Sequence, residues 1–347
     1  MKVLIIGPSW VGDMMMSQSL YRTLKANNPE IQIDVMAPAW CRPLLNKMPE
    51  VSEAIAMPIG HGKFALKERY HLGKQLRQNH YDQAIVLPNS FKSALIPFFA
   101  KIPKRTGWKG EMRYGLLNDI RTLNKLEFPL MVERYVALAY DKSYSISAKK
   151  LPQPLLYPKL QVNSQDVVAA KQLFNLEESE SIIGFCPGAE FGPAKRWPDY
   201  HYAQLGDMLA QQDAQIVIFG SQKDHQVGEA IINKMALPQA CINLAGKTSL
   251  EQAVNLIAGC NAIVTNDSGL MHVAAALDKP LVALYGPSSP DFTPPLTDNA
   301  EIIRLITGYH KVRKGDDAEG YHQSLIDIKP KHVFDTLFNL LARSKNS

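Results

Sequence analysis

Along this chain, short unbroken apolar runs alternate with longer segments in which apolar residues return every three or four positions. Runs of the first kind suit buried strands, and segments of the second kind suit helices that cover them. The pattern predicts strands at Val3–Ile6, Ile31–Met36, Glu53–Met57, Tyr81–Leu87 and Lys104–Trp108, with helices after Asp13, over Phe64–Gln78 and over Phe91–Ala100. Leu151–Val162 has no helical period and holds Pro152, Pro154 and Pro158, which reads as a linker. Beyond it the alternation resumes, with strands at Ile182–Cys186, Gln215–Gly220 and Cys241–Leu244, an apolar run from Ala262 that ends at Ile263 and Val264, and helices at Tyr200–Gln211, Asp224–Lys234 and Leu250–Gly259, and the chain closes on a helix over Lys331–Ala342. Repeated strand-then-helix order implies parallel sheets covered on both faces. The predicted fold is α/β: two Rossmann-like parallel-sheet domains, 1–155 and 156–347, with their ligand edges facing a central cleft.

The second domain is organised around Ala262–Tyr285, which reads as strand, polar turn, short helix and strand. Asn266, Asp267, Ser268 and Gly269 supply the turn and N-cap chemistry. A helix starting there offers free N–H groups and a positive dipole end to an anion, at the edge where ligands of open α/β sheets bind. Asp267 is suited to sugar hydroxyls and His272 to a phosphate, although each is equally readable as an N-cap and a packed helix residue. Two other loops follow strands on the same edge. One carries Lys195 and Arg196, cations for a diphosphate, and the other carries Asp224, an acid for nucleoside hydroxyls.

The first loop, Gly7 to Asp13, spaces its glycines as G-x-x-x-x-G, so it is no dinucleotide fingerprint, and Asp13 stands where a Walker loop requires lysine. An acid there argues against phosphate. Asp13 sits at a helix start, where the dipole favours its ionised form; it is either a plain cap or a general base acting on a hydroxyl.

Composition narrows the class. With 46% hydrophobic and 20% charged residues in 347, the chain has an ordinary globular make-up. The apolar run at the start is stopped by Gly7-Pro8, too soon for a signal-peptide core, and no stretch approaches the roughly 18 apolar residues of a membrane span. Cys41, Cys186, Cys241 and Cys260 are scattered, which suits reduced structural thiols rather than disulfides or zinc. Charge is uneven: residues 1–150 hold 22 Lys/Arg against 12 Asp/Glu, a balance of +10, and the rest hold 16 against 21, a balance of −5. Lys92, Lys101, Lys104, Arg105, Lys109 and Arg113 cluster with one acid, Glu111, a pattern for phosphate groups or an anionic membrane surface.

Read together, GPSWVGDMMMSQSLYRTL, VMAPAWCRPLL, LPNSFKSALIPFFA, RTGWKGEMRYGLLNDIR, GFCPGAEFGPAKRWP, VTNDSGLMHVAAAL and ALYGPSSPDFTPPL resemble the ADP-heptose:lipopolysaccharide heptosyltransferases of glycosyltransferase family 9, over nearly the whole chain. Among them the resemblance is closest to the enzymes that add the second heptose. It implies a GT-B fold whose last helix can pack back on the N-terminal domain. It further implies inverting transfer of L-glycero-D-manno-heptose from ADP-heptose to the first heptose of the lipopolysaccharide inner core. The catalytic carboxylate maps to Asp13 and the donor-phosphate lysine to Lys195. The donor turn maps to Asp267, Ser268, Gly269 and His272, with Asp224 as the acidic donor contact; Ser268 stands where the family often has Thr, and the hydroxyl is kept. Lys92, Arg105 and Arg113 are the expected acceptor contacts, and the Lys311, Arg313 and Lys314 loop is either an addition to them or a basic surface loop. No DxD-type carboxylate pair is present, so no metal cofactor is expected. The expected setting is cytoplasmic, in peripheral contact with the inner membrane and without nucleic acid. Rival readings are the enzyme that adds the first heptose and a non-catalytic nucleotide- or glycolipid-binding protein.

Overall fold

The structure is a computed structural model that describes residues 1–60, 62–176, 181–190, 192–308 and 315–344. Lys311, Arg313 and Lys314 lie outside the described residues. The chain divides into two compact units, Met1–Leu160 and Gln161–Ser347.

The first unit runs β1 (Lys2–Ile6), α1 (Val11–Asn27), β2 (Gln32–Pro38), α2 (Arg42–Leu45), β3 (Glu53–Met57), α3 (Leu66–Leu76), β4 (Gln83–Val86), α4 (Leu95–Phe99), β5 (Lys104–Trp108), β6 (Asp119–Arg121) and α5 (Met131–Val136). The second runs α6 (Ser164–Leu173), β7 (Ser181–Cys186), α7 (Asp199–Ala210), β8 (Ala214–Ile218), α8 (His225–Lys234), β9 (Cys241–Asn243), α9 (Leu250–Ala258), β10 (Ala262–Asn266), α10 (Gly269–Ala276), β11 (Leu281–Tyr285), β12 (Ala300–Arg304), α11 (Gln323–Ile326) and α12 (Pro330–Ser344). Each unit has one six-stranded parallel sheet, ordered β3-β2-β1-β4-β5-β6 and β12-β11-β10-β7-β8-β9. Counted from its own first strand, each sheet has the doubly wound order that opens a crevice where the winding reverses. Those points lie beyond the carboxyl ends of β1 and β4 in one unit and of β7 and β10 in the other.

The central strands are apolar because both their faces are covered. β10 and β11 are buried along their whole length, and Val3, Leu4 and Ile5 of β1 have no exposed surface. Edge strands relax this demand. β6 (DIR) and β12 (AEIIR) mix charge with apolar residues, so their hydrophobic pattern does not announce them, and both lie at sheet edges. Over residues 91–100 the expected single helix is a 3₁₀ turn, Phe91–Ala94, followed by α4. Pro97 lies within α4, where it withholds an N–H from the helix. The buried face of α12, Val333, Leu337 and Leu340, lies on α7, β11 and β12 of its own unit.

Beyond β6 the chain is held by a buried guanidinium. Arg121 donates to the carbonyl oxygens of Ala137 (2.7 Å) and Tyr140 (2.8 Å), to Ser145 Oγ (3.0 Å) and to Asp119 Oδ2 (2.9 Å). Replacing Arg121 by Met leaves these acceptors and the Asp119 charge without their donor. We expect a loss of about 3 kcal/mol in urea unfolding, with proteolysis appearing first between residues 131 and 150.

Candidate active site

In the first unit, β1 delivers the chain into the loop Gly7–Trp10, and α1 begins at Val11. Trp10 is the N-cap residue, and its side chain makes no capping bond. Asp13 stands in the first helical turn, and no described side chain donates a hydrogen bond to its carboxylate. It is therefore not consumed as a cap, the alternative the sequence left open. The helix dipole does not dominate its ionisation either: burial pushes the Asp13 carboxyl up to about 6. The result is a carboxylate at neutral pH with proton affinity well above that of an ordinary aspartate, as a general base requires.

The neighbouring strand end, after β4, opens a groove of about 550 Å³ lined by Phe64, Pro88, Asn89, Ser90, Phe91, Lys92 and Glu111. Its walls are two loops stitched together. Glu111 accepts from the Phe91 N–H (2.6 Å) and its own N–H donates to the Asn89 carbonyl (2.9 Å). Gly110 has φ +52°, and a Cβ there would lie 2.3 Å from the Asn89 oxygen. Only glycine permits that approach.

The three expected acceptor contacts separate here. Lys92 lines the groove. Arg113 has no exposed surface; its guanidinium donates to the carbonyl oxygens of Pro88 (2.7 Å) and Trp108 and lies 3.4 Å from Asn89 Oδ1. Burial lowers its pKa to about 10, so it stays charged and holds the groove's walls from behind. The expectation that Arg113 meets the acceptor directly is corrected on that ground. Arg105 is corrected by topology. It lies near the start of β5, at the amino edge of the sheet, and donates to the carbonyl oxygens of Leu116 and Ile102, both at 2.6 Å.

In the second unit the site is built on Asn266. This fully buried amide at the end of β10 accepts from the Trp197 N–H (3.1 Å) and the Tyr202 hydroxyl (3.3 Å) and donates to the Pro187 carbonyl (2.7 Å). One side chain thereby fastens the loop after β7 at both its ends to the carboxyl end of β10. That loop carries Lys195, whose Nζ lies 3.3 Å from Asp267 Oδ2. The sequence reading treated Asn266 as turn chemistry and missed this role. The available signal was an amide at the end of an otherwise apolar strand, where an unpaired polar group would be costly.

Ser268 is the N-cap residue of α10 and makes no side-chain capping bond; its Oγ lies 3.4 Å from Thr265 Oγ1. Gly269 is the first helical residue. His272 is buried one turn further on, and burial holds its pKa down to about 4 against the opposing pull of Asp267. It is a neutral imidazole at physiological pH, able to donate through one ring N–H but not to supply positive charge. Asp224 is largely occupied: Oδ2 accepts from the Ser221 N–H (2.9 Å) and hydroxyl (2.7 Å), and Oδ1 faces Arg196 Nη2 at 3.8 Å. It packs beneath Gly188 and Gly220, where a Cβ would lie 2.6 and 2.7 Å from Asp224 atoms. Its evident work is to shape two loops.

Among the described residues, no group of three or more His, Cys, Asp or Glu side chains is placed to hold a metal ion, and no helix is long and apolar enough to cross a membrane. All four cysteines are buried and unpaired with one another.

The profile of glycosyltransferase family 9 (heptosyltransferase) matches residues 69–322, well over half of the chain. The protein belongs to glycosyltransferase family 9. It is therefore a glycosyltransferase, and its two sheets are those of the GT-B architecture. Relatives in the family are similar over almost their full length. The chain is 68% identical to lipopolysaccharide heptosyltransferase 2 of Salmonella typhimurium strain LT2 over 99% of both chains. It is 66% identical to the Escherichia coli K12 protein of the same name, over 99% of this chain and 100% of that one. A solved structure of E. coli ADP-heptose lps heptosyltransferase II superposes with a TM-score of 0.92 at 62% identity, covering 99% of this chain and 100% of that one.

Two outcomes follow from this geometry. Replacing Asn266 by Ala strands the buried Trp197 N–H and Pro187 carbonyl and should lower unfolding stability by about 3 kcal/mol, whereas Tyr202→Phe, which removes one of the three bonds, should cost about 1 kcal/mol; urea titrations distinguish these. For Asp13, the folded pKa lies above the ordinary 3.8, so its burial costs stability above pH 6 and nothing below pH 4. Asp13→Asn should accordingly be more stable than the parent by about 1–2 kcal/mol at pH 8, a figure discounted for partial exposure. The gap in melting temperature should close as the pH falls to 4.

Proposed function

We propose that this glycosyltransferase moves L-glycero-D-manno-heptose from ADP-heptose to the first heptose of the lipopolysaccharide inner core, with inversion at the anomeric carbon. The observation that carries the reading is identity of 66–68% along 99% of the chain to proteins named for lipopolysaccharide heptosyl transfer. The residues support it. Donor diphosphate suits the second unit, where Lys195 and the N-terminus of α10 at Gly269 present positive potential at neighbouring strand ends. At rest Lys195 is paired with Asp267. A diphosphate would compete for the lysine and release the Asp267 carboxylate toward sugar or ribose hydroxyls. Ser268 and the neutral His272 would contribute hydrogen-bond donors, while Asp224 acts through the loops it shapes.

In the transfer itself, the acceptor hydroxyl oxygen forms a bond to the anomeric carbon as the bond from that carbon to the diphosphate oxygen breaks. The hydroxyl proton passes to Asp13, and the bonding pair leaves with ADP, whose charge Lys195 and the helix end stabilise. Electrostatic work often given to a divalent cation is thereby assigned to protein groups, so we propose that no metal is needed. The groove beside Lys92 would receive the phosphorylated acceptor, with Arg113 holding its walls. We place the reaction at the inner face of the cytoplasmic membrane, with the protein in peripheral contact.

ADP release by the purified protein, given ADP-heptose and a mono-heptosylated acceptor, tests all of this. Release should require the acceptor, survive a chelator, rise with pH to a plateau above about 6, and fall about 10²–10⁴-fold in Asp13→Asn. Release with an acceptor that lacks heptose would instead assign the first transfer to this enzyme, and donor binding without release would leave only a binding protein.

A further inference from the structure

Beside the groove, α3 and α4 form an outer face whose chemistry the transfer reaction does not use. The two helices pack closely because Gly73 has no side chain: a Cβ there would stand 2.6 Å from Phe99 Cβ and 2.8 Å from the Ile96 carbonyl. That approach leaves large apolar side chains at the surface. Phe64 is 52% exposed, Leu66 47%, Tyr70 41% and Phe98 40%. They are connected. Tyr70 meets Phe99 edge to face at 5.3 Å, Phe99 meets Phe98 at 5.6 Å, and Arg105 lies over the Phe98 ring at 5.6 Å.

Cations rim this apolar strip. Lys67 and Lys74 flank Tyr70 at helical spacing on α3, and Lys101 and Lys104 follow α4; all four are exposed. Glu68, the one acid of α3, is two positions from both Leu66 and Tyr70 and so points away from their stripe. The strip is also tied to the groove. Buried Arg69 donates to the carbonyl oxygens of Phe64 (2.7 Å), Lys63 (3.2 Å) and Lys92 (3.2 Å), and Phe64 itself lines the groove.

We propose that the α3–α4 face is the surface on which this protein docks to an anionic lipid bilayer. The exposed aromatic and aliphatic side chains enter the headgroup boundary, and the lysines meet lipid phosphates around them. The charge complementarity selects an anionic surface, and the exposed Leu66 and Phe98 select a lipid one. With this face on the bilayer, the groove opens beside the headgroups, so a lipid-anchored sugar reaches Lys92 without leaving the membrane. The inference rests on the proposed lipid-anchored acceptor for its purpose, and its test is separable from that reading.

Co-sedimentation of the full chain with phosphatidylcholine vesicles, with and without phosphatidylglycerol, decides the matter. Binding should require phosphatidylglycerol. Lys67→Ala with Lys74→Ala should weaken it roughly 25-fold, about fivefold per lysine, and Tyr70→Ser with Phe98→Ser should abolish the part that resists high salt. All four positions are exposed, so melting temperatures should stay at the parent value. Turnover of a soluble, delipidated acceptor should be unchanged in both variants, and turnover of the vesicle-embedded acceptor should fall with binding. Vesicle binding that ignores phosphatidylglycerol, or that survives both double substitutions, overturns the proposal. So does a parent protein that ignores vesicles but forms a dimer, by light scattering, that Tyr70→Ser with Phe98→Ser dissolves. Failure to turn over either acceptor would overturn the proposed function while the vesicle result still judges this face.

Discussion

Every strand pair in both sheets is parallel, and that constraint governs the remainder of the molecule. A parallel pair needs a crossover to bring the chain back, so all carboxyl ends gather on one edge while helices fill both faces. In this order the winding reverses between β1 and β4 and between β7 and β10, and there the departing loops diverge instead of covering one another. Asp13, the Lys92 groove, Lys195 and the Asp267 turn all follow one of those four strands. Their position is a property of topology before it is one of chemistry.

Within that frame the two units treat charge differently. The Asp13 carboxylate has no hydrogen-bond partner among the described residues, and burial raises its proton affinity, a state in which a carboxylate is ready to accept a proton. The charges of the second unit are held in pairs, Lys195 with Asp267 and Arg196 with Asp224. Such pairs keep the charged side chains of these loops ordered at small net cost, and under the proposed donor binding an incoming diphosphate would exchange one ion pair for another. The loops themselves are held by neutral groups, above all the Asn266 amide and the Trp197 indole, which donates to the Ile328 carbonyl at 2.8 Å.

The basic excess of the first half divides in the structure into distinct uses. Arg113, Arg121 and Arg69 are buried and spend donors on backbone carbonyls, fixing loops and short 3₁₀ turns. Guanidinium suits this work because its planar fork satisfies several carbonyls at once and it stays charged when desolvated. The lysines, apart from the buried Lys47, remain outside, where their charge is available to anions.

The alternation of apolar runs and amphipathic segments was sufficient to read two parallel-sheet domains and most of their strands, because strands buried on both faces must be apolar throughout. The loops that carry Asp13, Lys195 and Asp267 were legible too, since glycine and turn residues mark strand ends and chemistry-bearing residues there are few. The edge strands β6 and β12 were not, because half-exposed strands tolerate charge, and neither were α5 and α6, which form no strong stripe. Nor does composition tell a buried arginine from an exposed one: Lys92, Arg105 and Arg113 share one basic cluster, and only the fold assigns them to a groove, the opposite sheet edge and the interior. Local pattern determined the central strands, most of the helices that cover them and where polar loops fall, for these depend on neighbours in sequence. Tertiary structure alone decided which charges are paired, which carboxylate is left to take a proton and which amide clamps the loops, since those depend on groups brought together from distant parts of the chain.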